Sequence, residues 1–323
     1  MTQPQSPQSS AARHALVAAV LTVLIWTAFI VIARASAMRS LTAIDISMCR
    51  FVGAGLILGA WTVWKLRQPG VHAQWLGFSL LPARLTMAAA GFAGIGYSFF
   101  AYSGFFFAPA AHASVLLPGL LPLWTALLAV LVLGERIAPR RAAALGLLAL
   151  GAVLVGGVSI AQALAAGKGV WKGDVLFMCG SFCWACYGIM LRKHPLDPIA
   201  VTAALSIFCL VTAVPVYAVL VFAGLVTSEL GSAPWAEIAF HVLVQGGLSV
   251  VVSGITFAMM VRHYGPMRST MITALVPGLS AMAAALLLAE PLVWNVVLGL
   301  ACVTLGIVLG VKAQSPVVKQ ATP

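Results

Sequence analysis

The sequence contains very little charge. Only 8% of its 323 residues are Asp, Glu, Lys or Arg, whereas 62% are hydrophobic and the mean hydropathy is +1.06. A soluble domain carries about 25% charged residues and needs them to cover its surface. The composition therefore excludes a soluble globular protein and predicts one that is embedded in a lipid bilayer.

Alternating apolar and polar patterns are also missing. The apolar residues run continuously over about 20 positions, which is the length at which a helix crosses a bilayer. Backbone groups inside a bilayer must be bonded internally, which a helix achieves by itself. The predicted fold class is an all-α integral membrane protein with ten transmembrane helices. The predicted spans are 15–35, 45–64, 85–106, 111–133, 140–160, 174–191, 199–224, 238–261, 268–288 and 292–311.

Motifs for catalysis and for cofactors are absent too. The chain has no GxSxG, HExxH or Walker sequence, and no pair of carboxylates inside a span. Its six cysteines lie in apolar spans, and Cys183 and Cys186 have no histidine or carboxylate at ligand spacing. We therefore expect no enzyme activity, no cofactor and no metal. Any pumping must be driven by a gradient or by exchange.

The excess of positive charge lies between the spans. A net charge of +11 in that position is typical of membrane orientation and not of nucleic-acid binding. With a cytoplasmic N-terminus, 13 Lys and Arg residues fall in cytoplasmic segments and 4 in outer segments. This bias predicts that both termini are cytoplasmic. The expected partners are the lipid bilayer and a small-molecule substrate, and the glycines at 55 and 59 pack either within the bundle or in a homodimer.

The sequence also consists of two internal repeats. Trp26 and Arg34 recur 158 positions later as Trp184 and Arg192; Gly91, Pro122, Glu135 and Gly151 recur 155 positions later as Gly246, Pro277, Glu290 and Gly306. Each half carries five predicted spans, so the second half must begin on the opposite side of the bilayer. Such inverted repeats are typical of transporters that alternate access to a central site. The predicted organisation is a disordered cytoplasmic tail at 1–13, a first repeat at 14–160, a linker at 161–172, a second repeat at 173–312 and a cytoplasmic tail at 313–323.

These features resemble the EamA-type carriers of the drug/metabolite transporter superfamily. The matching residues are Trp26, Arg50-Phe51, Pro122, the Gly134-Glu135-Arg136 turn and Gly146, Gly151 and Gly156, with Trp184, Pro277, Glu290 and Gly306 in the second half. The resemblance covers about residues 15–312, although the second half lacks a counterpart of Arg50. It implies two inverted five-helix EamA-like repeats in an inner membrane. It also implies a central cavity lined mainly by helices 1, 3, 4, 6, 8 and 9.

Candidate site residues include paired helix breaks and a set of midspan aromatic and polar side chains. The predicted breaks, at equivalent places in the two halves, are Pro118, Gly119 and Pro122, then Pro277 and Gly278. The predicted cavity residues are Trp26, Tyr97, Tyr102, Ser114, Trp124, Trp184, Tyr187, Gln245, Ser253, Thr256 and Phe257. An aromatic wall of this kind suits apolar, aromatic or cationic substrates. The alternative is that the prolines form packing kinks and the side chains form interhelical contacts.

Four ionisable residues have two interpretations. Arg50, His112, Glu135 and Glu290 take part either in proton coupling or in structural ion pairs. Glu135 and Glu290 each precede a helix start, where a carboxylate is stabilised by the helix dipole, and this favours the structural role. Arg50 is expected to extend to the outer interface and to pair with Asp45 or Glu290.

The sequence therefore predicts a secondary inner-membrane exporter of small metabolites, such as amino acids or drug-like molecules, that works by alternating access. Two alternatives stay open. An uncoupled facilitator is consistent with the scarcity of midspan carboxylates. A non-transporting receptor or assembly subunit would have a packed centre without a cavity.

Overall fold

The computed structural model describes residues 7–166, 169–273 and 275–312, and their regular structure is helical apart from one isolated bridge between Trp75 and Ser79. The helices are α1 (Pro7–Ser36), α2 (Ala43–Leu66), α3 (Ala83–Phe107), α4a (Ala110–Leu116), α4b (Leu121–Leu133), α5 (Pro139–Ala166), α6 (Val170–Lys193), α7 (Pro198–Phe222), α8 (Trp235–Tyr264), α9a (Pro266–Ile272), α9b (Leu275–Leu288) and α10 (Trp294–Lys312). Two of them contain π-helical stretches, α3 at Ala90–Gly96 and α8 at His241–Val252.

Most of these helices have membrane length. In the described part of the chain, nine helical segments are long and apolar enough to cross a bilayer, counting α4a with α4b and α9a with α9b. A further apolar helix, Trp294–Gly310 within α10, is shorter. The prediction of an all-helical, multi-pass membrane protein is confirmed.

Two predicted boundaries differ from the structure. The tail expected at 1–13 is helical from Pro7 onwards, because Ala11 and Ala12 continue the helical pattern of the first span. The linker expected at 161–172 is shorter, since α5 continues to Ala166 through an alanine-rich stretch and α6 begins at Val170. Residues 1–6 and the predicted tail at 313–323 lie outside the described residues.

Local sequence signals determine several helix ends. Thr42 and Asp45 form a capping box at the start of α2, in which each side chain accepts a hydrogen bond from the other residue's backbone N–H, at 3.1 and 3.0 Å. Asp197 caps the first turn of α7, and Pro198 follows it at a position where proline is favoured. Gly134 ends α4b with a left-handed φ of 68°.

The two halves pack through equivalent contacts. Helix α1 packs on α8 and α9b, and its counterpart α6 packs on α3 and α4b; α2 contacts α7, and α5 contacts α10. A Cβ at Gly151 would lie 2.8 Å from the Gly299 carbonyl oxygen, and one at Gly306 would lie 2.7 Å from the Ala144 carbonyl oxygen. Both residues of the second pair are related to the first by the repeat offset of 155. The duplicated sequence therefore produces duplicated packing.

Replacing Gly246 with alanine should destabilise the protein. A Cβ there would lie 2.7 Å from Gly53 Cα and 2.8 Å from Ala54 N, so α2 and α8 would have to separate. Overpacking of this kind costs about 1–3 kcal/mol, and we expect a lower melting temperature in detergent. The control Gly247→Ala has only the Ile57 Cδ1 atom at 3.5 Å and should not lower the melting temperature. Equal melting temperatures for the two variants would contradict the close approach of α2 and α8.

Candidate functional site

A small cavity lies between the two halves. Its lining residues come from α1, α3, both parts of the broken α4 segment, α6 and α9b, and they are Trp26, Phe29, Ile30, Tyr97, Leu117, Pro118, Leu121, Ser181, Trp184 and Val276. Its volume is about 20 Å³, which is room for a single water molecule. Pockets for small molecules measure about 300–1,000 Å³. The centre of the protein is therefore closed to a substrate-sized molecule in this conformation.

Two tryptophans meet at this cavity. The rings of Trp26 and Trp184 are arranged edge to face, with centroids 5.6 Å apart. Each of these tryptophans is the repeat counterpart of the other. Phe257 stacks on Trp26 at 5.3 Å, and Tyr97 lies 4.8 Å from Trp184. Four of the ten lining residues are therefore aromatic, namely Trp26, Phe29, Tyr97 and Trp184, and Phe257 lies behind Trp26.

The same wall carries polar atoms without partners. Ser181 Oγ and Trp184 Nε1 are buried, and neither forms a hydrogen bond with a described residue. A buried polar group in that condition costs about 1–3 kcal/mol, so it is usually matched by a ligand or by water. These two donors are available to a polar group that enters the cavity.

Both broken helices reach the cavity. In the first half, residues 117–120 leave the helix between α4a and α4b, and Leu117 and Pro118 line the cavity. In the second half, α9b begins at Leu275, and Val276 lines the cavity. Of the predicted break residues, Pro118 and Gly119 lie in the non-helical segment, whereas Pro122, Pro277 and Gly278 lie in the first turns of α4b and α9b. Proline is tolerated in a first turn, so these prolines start helices and do not kink them.

The other predicted aromatic residues lie behind the cavity wall or away from it. Tyr102 contacts Phe29 with ring centroids 5.7 Å apart, and Tyr187 contacts Trp184 at 5.5 Å. Trp124 packs against Phe182 at 5.4 Å, and its Nε1 atom has no hydrogen-bond partner among the described residues. Tyr102 and Tyr187 therefore support the wall, whereas Trp124 does not belong to it.

The predicted polar residues of α8 lie away from the cavity wall. Gln245 is fully buried, and neither atom of its amide group is hydrogen-bonded to a described residue. Ser253 donates to the Ser249 carbonyl oxygen at 2.6 Å, and the hydroxyls of Thr256 and Thr22 are 2.7 Å apart. None of the three is among the residues that line the cavity.

Ser114 connects the two halves at one end only. Its hydroxyl lies 2.8 Å from that of Ser280, which joins α4a to α9b. The repeat counterparts of these residues are Ser269 and Thr125. Ser269 donates to the Gly265 carbonyl oxygen at 2.8 Å, as Ser114 does to the equivalent Ala110 carbonyl oxygen, but Thr125 Oγ1 has no partner among the described residues. The two equivalent contacts between halves therefore differ in this conformation.

Two ion pairs also connect the halves, and they are repeat counterparts. Arg34 Nε lies 2.7 Å from Glu290 Oε1, and Arg192 Nη2 lies 2.7 Å from Glu135 Oε1. Glu290 also accepts a hydrogen bond of 2.9 Å from the Ala110 amide at the start of α4a. Each glutamate is thus bound by the arginine that ends the first helix of the other half.

His112 forms a further contact between halves. Its Nδ1 atom lies 2.8 Å from Asp174 Oδ1, which joins α4a to α6, and both side chains are buried. Asp174 Oδ2 has no hydrogen-bond partner among the described residues.

Arg50 is buried, with 3% of its surface exposed, and does not extend to the interface. Its guanidinium carbon lies 6.0, 5.6 and 6.0 Å from the ring centroids of Phe29, Tyr97 and Tyr102. Its Nη1 atom donates a hydrogen bond of 3.4 Å to the Tyr102 hydroxyl. Contacts with the faces of three rings therefore replace the expected contact with the bilayer surface.

The expected pairing of Arg50 with Asp45 or Glu290 is not formed. Asp45 accepts hydrogen bonds from the hydroxyls of Tyr217 and Ser228, in addition to its role in the capping box. Glu290 is occupied by Arg34 and by a helix start. Both carboxylates are therefore satisfied by groups near the ends of helices, and Arg50 lies deeper in the bundle.

Several site residues were missed by sequence reasoning. Phe29 and Ser181 line the cavity, but nothing distinguishes them in sequence from other midspan residues.

The two ion pairs, in contrast, are related by a signal that is visible in the sequence. Arg34 and Arg192 recur with nearly the offset that relates Glu135 to Glu290, so a pairing found in one half predicts its counterpart in the other.

Comparison with known proteins agrees with this geometry. The model of the EamA-like transporter family matches the chain twice, over residues 13–157 and 171–311. Solved structures with significant similarity number 23 chains. One of them, described only as a crystal structure of a protein, aligns with 94% of this chain and 97% of its own at 19% identity and a TM-score of 0.63, and so shares the fold. No curated protein sequence matches the chain.

Proposed function

The chain belongs to the EamA-like transporter family, as its motifs predicted, and on this premise we propose that it is a secondary inner-membrane exporter of small metabolites. The observation that carries the proposal is the central cavity. It is lined by aromatic rings from both halves and is reached by both helix breaks. Paired interruptions of this kind form the transport sites of many secondary transporters.

In this proposal the protein crosses the bilayer ten times, and its halves have opposite orientations. Two contacts support opposite directions for α1 and α6. Arg34, near the end of α1, donates a hydrogen bond to the Phe105 carbonyl oxygen near the end of α3. A Cβ at Gly173, near the start of α6, would lie 2.7 Å from the Gly104 carbonyl oxygen, also near the end of α3. Helix α6 therefore starts where α1 ends.

The two ion pairs then lie at opposite ends of the bundle and act as alternating gates. The pair Arg34–Glu290 closes the outer end, and the pair Arg192–Glu135 closes the inner end. Substrate entry from the cytoplasm separates α6 from α4b, and release to the outside separates α1 from α9b. With both pairs formed and room for one water molecule at the centre, the present conformation corresponds to an occluded state.

Localisation and assembly follow from charge and packing. The 13 to 4 distribution of Lys and Arg supports cytoplasmic termini in the inner membrane. Gly55 packs inside the chain, because a Cβ there would lie 2.6 Å from Leu210 Cβ, whereas Gly59 has open space beside it. The face of α2 around Gly59 is the surface that we assign to a homodimer.

Coupling to protons is assigned to His112, whose contact with Asp174 spans the halves. One observation favours the uncoupled facilitator as a second candidate. Among the described residues that line the cavity there is no Asp, Glu or His, so the cavity wall itself offers no proton carrier near neutral pH.

Efflux from proteoliposomes tests the proposal. Purified protein is reconstituted into vesicles loaded with amino acids, organic acids, nucleosides and cationic dyes, and efflux is followed with and without a pH gradient. We expect saturable efflux of one class of molecule. Acceleration of efflux by the pH gradient would support proton coupling through His112 and contradict an uncoupled facilitator. Protein-free vesicles measure the leak. Folded protein that binds a compound without moving it would favour the receptor.

A further inference from the structure

Arg50 is a buried cation without a carboxylate partner among the described residues. Its contacts are three aromatic rings and one hydrogen bond of 3.4 Å to the Tyr102 hydroxyl. A guanidinium has five N–H donors, so most of its capacity is not used by these contacts. An ionisable group inside a membrane protein is energetically expensive, and it usually marks a functional site.

All seven carboxylates of the chain are engaged away from Arg50. They are Asp45 with Tyr217 and Ser228, Glu135 with Arg192, Asp174 with His112, Asp197 with the start of α7, Glu229 with Ser232, Glu237 with Ser40, and Glu290 with Arg34. None of them lines the central cavity. The charge nearest to the centre is therefore positive and uncompensated, which favours an anion there and disfavours a cation.

The guanidinium of Arg50 lies directly behind the cavity wall. Two of the three rings around it, Phe29 and Tyr97, line the cavity, so one ring separates the cation from the cavity space. Tyr97 directly follows the π-helical stretch of α3, a type of irregularity that is frequent at functional sites. A rotation of either ring would open Arg50 to the cavity, which also presents the free donors of Ser181 and Trp184.

From these observations we propose that Arg50 binds the anionic group of the transported molecule, and that the substrate is a small organic carboxylate with an apolar or aromatic body. The carboxylate accepts paired hydrogen bonds from the guanidinium, a geometry that arginine forms particularly well. The rings of Trp26 and Trp184, which line the cavity, contact the body of the molecule. This inference rests on the proposed transport function and names its substrate class.

Three probes of one skeleton test the charge preference of the wild-type protein. Phenylacetate, phenylacetamide and phenethylammonium differ in charge and little in shape, and branched-chain carboxylates extend the anion panel. Binding is measured in detergent by calorimetry, and flux is measured in proteoliposomes. We expect binding and saturable flux for carboxylates, with at least tenfold weaker binding of the amide and of the ammonium compound. Equal or better binding of phenethylammonium overturns the proposal.

Variants of Arg50 test the residue itself. Arg50→Gln should weaken carboxylate binding about 30-fold and abolish the preference over the amide, because charge-assisted hydrogen bonds are lost. Arg50→Lys keeps the positive charge but lacks the paired N–H donors of the guanidinium, so it should retain part of the preference for the carboxylate over the amide. The control Arg39→Gln removes an exposed positive charge between α1 and α2 and should leave binding unchanged. An Arg50→Gln protein that folds and keeps the full carboxylate preference contradicts the assignment.

The two measurements separate this inference from the transport function. Carboxylate binding without flux would support the anion site at Arg50 and contradict the proposed transport function. Flux of nucleosides or cationic dyes without any carboxylate binding keeps the exporter and overturns the anion site. Absence of carboxylate binding across the panel also overturns it.

Discussion

Replacing Trp184 with phenylalanine should reduce transport at least tenfold while lowering the melting temperature of the protein only moderately. The indole lines the central cavity, and its Nε1 atom has no partner among the described residues. Phenylalanine keeps an aromatic ring near Trp26 but removes the second ring of the indole together with this unused donor, so folding loses some packing and no hydrogen bond. If the donor binds substrate, its loss removes one hydrogen bond of about 1.5 kcal/mol, which is about tenfold in rate or affinity.

Trp124→Phe is the matched control for that experiment. Trp124 also has a buried Nε1 without a partner among the described residues, but it packs against Phe182 and does not line the cavity. Its replacement should leave transport unchanged, while the loss of the larger ring lowers the melting temperature as it does at Trp184. Both are measured by efflux from proteoliposomes and by thermal unfolding in detergent. Equal loss of transport in the two variants would place the substrate elsewhere than between Trp26 and Trp184.

Replacing Glu290 with glutamine should destabilise the protein far more than replacing Glu135, although the two residues are repeat counterparts. The side chains of Arg34 and Glu290 are 19% and 11% exposed, whereas those of Arg192 and Glu135 are 44% and 27% exposed. Removing one partner of a fully buried pair costs about 3–5 kcal/mol and an exposed pair contributes only about 0–1 kcal/mol, so the part-buried Arg34–Glu290 pair should lie between these values. Glu290 also caps α4a through the Ala110 amide.

A double-mutant cycle isolates the pair from the cap. The variants are Arg34→Gln, Glu290→Gln and the combination, with the corresponding set at Arg192 and Glu135. We expect a coupling energy of about 2 kcal/mol for the first pair and below about 1 kcal/mol for the second, measured by unfolding in detergent. Similar coupling energies at the two ends would show that burial does not distinguish the pairs.

Much of the fold was predictable, because a bilayer permits few structures. Continuous apolar runs and the recurrence of residues such as Pro122 and Pro277 were enough to locate the helical segments and to show the duplication. The π-helical stretches of α3 and α8 were not predicted, since a change of hydrogen-bond register leaves no mark on hydropathy. The helical start at Pro7 was missed because a polar composition was given more weight than helix propensity.

The sequence indicates how far along a membrane span each candidate residue lies. It does not indicate which face of the helix points to the cavity. Trp26, Tyr97 and Trp184 line the cavity, whereas Trp124 and Thr256, at similar depths, contact other neighbours. In a soluble protein, hydrophobic periodicity shows which face of a helix is buried. In a membrane protein, the lipid and the packed interior are about equally apolar, so the same pattern does not separate the two faces.

The burial of Arg50 has a consequence for the kinetics of the carrier. The residues equivalent to Arg50 in the second half are Leu205 at an offset of 155 and Phe208 at an offset of 158. The two halves are therefore similar in fold but differ in charge at this position. In the proposed anion site, a bound anion faces Arg50 on α2, which has no equivalent charge in the second half, so we expect its half-saturating concentration to differ between the two compartments. Without a driving gradient, thermodynamics requires an equal ratio of maximal rate to half-saturating concentration in both directions. The face with the lower half-saturating concentration is therefore the face from which the maximal rate of transport is lower.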